Sequence, residues 1–161
     1  CIRDSLKGII ACSLTHIILG QLDVGNAYMF VLYTGLGVVL GHNFPFYMQF
    51  KGGKGIAASG GMIVGLWDWR LVVILLAAFI ISVVVTRYVS VGSLTIMIGF
   101  FILYTIFAIH GDYNFTSNAK MIEGIVLAGV IAGMAVIRHL PNIKRLIAGT
   151  ENKLSFGSKT A

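Results

Sequence analysis

Within five residues, Lys51-Gly52-Gly53-Lys54-Gly55, the chain places three glycines and two lysines. Glycine admits backbone shapes that turn successive N–H groups toward one point, and a helix starting at Ile56 would aim its positive end the same way. Lys51 and Lys54 add fixed charge. These are the parts of a phosphate cradle, although the G-x-x-x-x-G-K-[ST] spacing of a Walker loop is absent. A plain basic loop beside a membrane uses the same residues. A second set comprises Arg138, His139, Asn142 and Arg145. On a continuous helix His139 and Asn142 would lie together, and Arg138, Asn142 and Arg145 would line a stripe. His139 can act as acid, base or hydrogen-bond partner near neutral pH. A histidine that only anchors a helix end is the alternative. Pro141 disfavours helix at Leu140, which predicts a kink or a helix restart there.

Two smaller sets accompany these. Ser90 and Ser93, after Arg87 and Tyr88, are suited to bonding an anion or an acyl carbonyl, or to capping a helix. Asp4 and Lys7 are spaced to pair with each other, or Asp4 to orient another basic residue. His16 falls inside an apolar run and reads as a neutral, interhelically bonded side chain. His42 reads as capping or orienting the glycine turn. Neither a metal-binding set of His, Cys, Asp and Glu nor a G-x-S-x-G elbow occurs in the sequence.

The elements that must position these residues follow from composition. Of 161 residues, 57% are hydrophobic and 11% charged, and the mean hydropathy is +0.90. A soluble domain carries about 25% charged residues, so a bilayer is the solvent this chain suits. The net charge of +6 is split up by long apolar runs, which argues against nucleic-acid binding. Six apolar stretches read as spans: Leu6–Leu22, Ala27–Phe44, Ile56–Trp67, Leu71–Val85, Val89–Ile109 and Met121–Ile137. The third and fourth are short against the roughly 20 residues of a straight crossing. With the chain start in the cytoplasm, ten of the twelve Lys and Arg face inward and only Arg70 and Lys120 outward, as the positive-inside rule prefers. Both candidate sets then share the inner face. Three GxxxG pairs, Gly37/Gly41, Gly61/Gly65 and Gly129/Gly133, predict close helix packing in at least two places. Cys1 and Cys12 would sit roughly 16 Å apart on one helix, too far for a disulfide.

Gly41-His42-x-Phe44-Pro45 leading to Phe50-Lys51-Gly52-Gly53-Lys54-Gly55 resembles the bacterial acyl-phosphate:glycerol-3-phosphate acyltransferase family. So do Arg138-His139-x-x-Asn142-Ile143-x-Arg145-Leu146 with Gly149, Glu151 and Lys153, Asp4-x-x-Lys7-Gly8, and Arg87-Tyr88-Val89-Ser90, all in family order. The resemblance implies an all-α membrane bundle of seven helices that moves an acyl group from an acyl-phosphate to the first hydroxyl of glycerol 3-phosphate. The products would be lysophosphatidic acid and phosphate. It implies no metal and no cofactor, a multi-pass location in the bacterial inner membrane, and motifs facing the cytoplasm. A monomer is the working expectation. By motif position Lys54, His139 and Asn142 correspond to catalytic or glycerol-phosphate residues. Gly52, Gly53, Gly55 and Ser90 would help hold the acyl-phosphate, and Lys51, Arg138 and Arg145 would bind substrate.

Residues 1–161 read as one domain. The start at Cys1, and the family's further N-terminal helix with a Ser/Gly/Asn-rich motif and an arginine, lead to an expected N-terminal truncation. Ala58 stands where the family often has a hydroxyl residue. The alternatives are a catalytically inactive fragment of this enzyme and a small membrane transporter; a transporter calls for ionisable residues deep in several spans, and only His16 qualifies.

Overall fold

The structure, a computed structural model, describes residues 2–22, 26–45, 49 and 52–154. Seven helices occur among these residues: α1 (Ile2–Gln21), α2 (Ala27–Asn43), α3 (Ile56–Gly65), α4 (Trp69–Thr86), α5 (Val89–Ile109), α6 (Asn118–Arg138) and α7 (Leu140–Ile147). Helices α4, α5 and α6 are long and apolar enough to cross a membrane. α1 has 20 residues but starts with Arg3, Asp4 and Lys7, α2 has 17, and α3 only 10. Much of the apolar surface faces outward: Val73, Ile81, Val84 and Val85 on α4 are all more than half exposed. Such a surface is satisfied by lipid rather than water.

α1 packs on α2 and α3, α2 on α6, α5 on α4 and α6. The core between them holds Met29, Leu32, Met62, Leu66, Met97, Phe100, Tyr104 and Ile131, each fully buried or nearly so. The α1–α3 contact is the tightest. A Cβ at Gly61 would lie 2.2 Å from the Ser5 carbonyl oxygen, and one at Gly8 would lie 2.6 Å from the Ala58 carbonyl oxygen. Only glycine allows the two backbones so near. Of the three GxxxG pairs, Gly61/Gly65 alone serves throughout as a packing face: Gly37, Gly41 and Gly133 have open space where a Cβ would stand, and Gly129 touches only Phe101. The expectation of at least two such faces is corrected to one. The other two patterns fall partly on outward-facing helix surface, where the spacing meets no second backbone.

At the far end of α3 from the glycine turn, Asp68 caps α4 by accepting from the Arg70 backbone N–H. Arg70 also donates from Nε and Nη2 to Asp68, and Tyr113 donates its hydroxyl to the same carboxylate. These bonds hold the Asp68 carboxyl below the usual range against the opposing effect of burial. The Trp67-Asp68-Trp69-Arg70 turn therefore ties α4 to the α5–α6 loop. His16, within α1, stacks on Trp67 and meets Tyr28 edge-on, so its surroundings are aromatic rather than polar. Cys12 is buried; Cys1 lies outside the described residues.

Candidate active site

α3 starts at Ile56, directly after the glycine–lysine turn, as its composition predicts. Gly55 precedes it at φ 79°, a left-handed value that glycine adopts without strain. The first-turn N–H groups of α3 have no acceptor within the helix. They open on a cavity of about 570 Å³ lined by Gly53, Lys54, Gly55, Ile56 and Ala57. Its opposite wall is Val89, Ser90 and Ser93 of α5 with His139 and Asn142, and residues 151–154 close one side. Lys54 and His139, 85 positions apart in the chain, thus face one space. Ser93 spends its hydroxyl on the Val89 carbonyl, whereas Ser90, which also lines the cavity, keeps its hydroxyl buried.

The helix restart predicted at Pro141 is real, and it decides which residues reach the cavity. α6 ends at Arg138 and α7 begins at Leu140, with Pro141 in the first turn where its missing N–H costs nothing. His139 sits at the junction, 2% exposed. Its Nδ1 is 2.7 Å from the Ala135 carbonyl oxygen, so Nδ1 carries the proton and Nε2 keeps the lone pair in the neutral ring. Burial, aided by the Lys54 charge, lowers its pKa and favours that neutral form. Arg138 and Asn142 fall on different helices, so the expected stripe does not form. Arg138 donates from Nη2 to the Asn43 carbonyl and lies 4.3 Å above the Phe44 ring, away from the cavity lining. Arg145 also stands off the lining and donates from Nε to Glu151.

Glu151 is the organiser that spacing alone does not reveal. α7 closes with a left-handed Gly149 and paired bonds, Thr150 N to the Arg145 carbonyl and Gly149 N to the Leu146 carbonyl. This is a Schellman ending, and it turns the chain back on itself. Glu151 then accepts from Asn142 Nδ2 and Arg145 Nε, each at 2.6 Å. Those two bonds, with the Ser90 hydroxyl adding to them, hold its carboxyl down to about 2. Asn142 is 4% exposed, and with its Nδ2 committed, its Oδ1 is a buried acceptor without a partner at the cavity wall. Leu154 N donates to the Arg87 carbonyl, which ties residues 151–154 to the α4–α5 turn and brings Lys153 to the lining of the same cavity as Lys54.

Of the sequence candidates, Lys54, Gly53, Gly55, Ser90, His139 and Asn142 line this cavity, Gly52 lines a neighbouring one, and Lys51 lies outside the described residues. That neighbour, of about 1110 Å³, has Leu6, Ile10, Ala11, Leu14 and Val38 as an apolar wall and Arg3 and Lys7 at its polar end. The two cavities share Asp4, His42 and Gly53. Asp4 and His42, read from the sequence as an orienting acid and a cap of the glycine turn, line both cavities, and Glu151 and Lys153, to which spacing gives no role outside the family motif, line the first. The signal available for Glu151 and Lys153 was the helix-ending Gly149 just before them.

A family model for glycerol-3-phosphate acyltransferase matches residues 1–149. A glycerol-3-phosphate acyltransferase of Thermoanaerobacter sp. (strain X514) is 38% identical over 157 residues, covering 98% of this chain and 69% of that protein. Among solved structures, PlsY (YgiH), an integral membrane glycerol 3-phosphate acyltransferase, superposes with a TM-score of 0.74 at 28% identity in its glycerol 3-phosphate form and in its lysophosphatidic acid form. The match covers 94% of this chain and 68% and 69% of the two solved chains. The chain spans about two thirds of the length of these relatives. Motif order, helical architecture and the match over 149 residues agree: this multi-pass membrane protein belongs to the glycerol-3-phosphate acyltransferase family.

Proposed function

We propose that this chain transfers an acyl group from an acyl-phosphate to the 1-hydroxyl of glycerol 3-phosphate, at the cytoplasmic face of the bacterial inner membrane. The hydroxyl oxygen bonds to the acyl carbon, and the bond from that carbon to the phosphate oxygen breaks. Lysophosphatidic acid and inorganic phosphate result, and the hydroxyl proton passes by way of His139 Nε2 to the departing phosphate. The observation that carries this reading is the meeting of Lys54, Ser90, His139 and Asn142 on one cavity joined to an apolar-walled neighbour. His139 Nε2 and Asn142 Oδ1 are both acceptors, suited to orient a hydroxyl. Lys54, Lys153 and the first-turn N–H groups of α3 are placed to stabilise charge on a leaving phosphate. The neighbouring cavity accommodates the acyl tail. Both cavities are built from one chain, which supports a monomer as the working unit. The ten-to-two distribution of Lys and Arg supports the cytoplasmic orientation.

The test is acyl transfer by membranes carrying the protein, with glycerol 3-phosphate and either acyl-phosphate, acyl-CoA or an acyl carrier protein thioester offered separately. Product from acyl-phosphate alone is expected. Product from the thioesters and none from acyl-phosphate overturns the assignment.

A further inference from the structure

The two cavities meet at a histidine and a carboxylate that the reaction as written leaves unused. Asp4 comes from the first turn of α1 and His42 from the last turn of α2, and Nδ1 of His42 lies 3.4 Å from Oδ1 of Asp4. Both side chains are about a quarter exposed and line both cavities. The opposite edge of the ring bears on the glycine turn: a Cβ at Gly53 would lie 2.3 Å from His42 Nε2. The missing side chain at Gly53 is thus what leaves Nε2 beside the backbone of the turn, at the boundary between the cavities. A surface ion pair would need no such fit.

We propose that His42, oriented by Asp4, binds the acyl donor where its phosphoryl head joins its chain. This rests on the functional reading above. A molecule with its head beside Lys54 and its tail along Leu6, Ile10 and Leu14 must cross the boundary that Asp4, His42 and Gly53 form. As an imidazolium the ring directs Nδ1–H toward Asp4 and donates Nε2–H to a phosphoryl oxygen. Glycerol 3-phosphate has no long tail and no need to cross. His42 is therefore a contact for one substrate and not the other.

The experiment is ligand binding to the purified protein in detergent, with a long-chain acyl phosphonate as the non-transferable donor analogue and glycerol 3-phosphate as the second probe. His42→Gln should weaken phosphonate binding about tenfold or more, the effect of a lost charge-assisted bond. Glycerol 3-phosphate binding should stay within about twofold of wild type, which also shows that the variant is folded. Asp4→Asn should weaken the same probe in the same direction but less. Unchanged phosphonate binding in His42→Gln, or an equal loss of both probes, overturns the proposal. So does a loss confined to glycerol 3-phosphate. Wild-type turnover of acyl-phosphate is measured alongside: turnover with unselective variants overturns the His42 assignment alone, whereas absence of both turnover and phosphonate binding overturns the functional reading with it.

Discussion

Substituting Gly61 by alanine tests whether the α1–α3 contact holds the site together. The added Cβ would lie 2.2 Å from the Ser5 carbonyl oxygen and 3.0 Å from the Ile9 nitrogen, where ordinary contact begins at 3.4 Å. The obstructing atoms are backbone, so no side chain can rotate away. α1 and α3 must move apart by about 1 Å, the shortfall from ordinary contact. Overpacking of this kind costs about 1–3 kcal/mol in stability. The displacement reaches the site from both sides: Ser5 follows Asp4, which faces His42, and the first turn of α3 lines the cavity beside Lys54. A misplacement near 1 Å can cost up to about 100-fold in rate, equivalent to about 2.7 kcal/mol in the barrier. Gly60→Ala is the matched control, because nothing lies within 4 Å of its added Cβ. Thermal unfolding in detergent and initial rates of acyl transfer should therefore separate the neighbours, with Gly61→Ala less stable and slower, and Gly60→Ala close to wild type. Equal behaviour of the two variants would falsify the close-packing account.

Three further perturbations address the other parts. Glu151→Gln removes the carboxylate that orders Asn142 and Arg145, and should lower turnover and remove Glu151's contribution to the pH dependence of stability. The folded carboxyl is held to about 2 against an ordinary 4.5, so its stabilising effect is full above 4.5 and fades as pH falls toward 2; thermal midpoints measured through that range show it. His139→Gln removes the Nε2 acceptor and should reduce kcat by about 100-fold or more, read from initial rates at saturating substrates; an unchanged kcat removes His139 from the mechanism. Asp68→Asn takes the carboxylate from Tyr113 and leaves Arg70 with Asp112 alone at the far end of α3, and should lower stability measurably in chemical unfolding. Its KM values should stay at wild-type level, because Asp68 lines neither cavity.

Much of this protein is legible without coordinates, because its solvent writes the pattern. Long apolar runs mark the helices, and the expected helix starts at Ala27, Ile56 and Val89 coincide with the observed ones. The break at Pro141 follows from the ring's lost N–H and its clash with the preceding turn. The glycine–lysine turn and His139–Asn142 stand out because their residue types carry donors, charge or a titratable ring. What local spacing does not determine is which partner each of these residues meets. Arg138 shares a motif with His139, yet the one-residue junction between α6 and α7 sends it to the Asn43 carbonyl and the Phe44 ring. Asp4 is spaced for Lys7 but meets His42, since α1 and α2 pack side by side. Glu151 gains its place only through the reversal at Gly149. Chain spacing sets which side chains share a helix face; helix packing and chain reversals set which faces border one cavity.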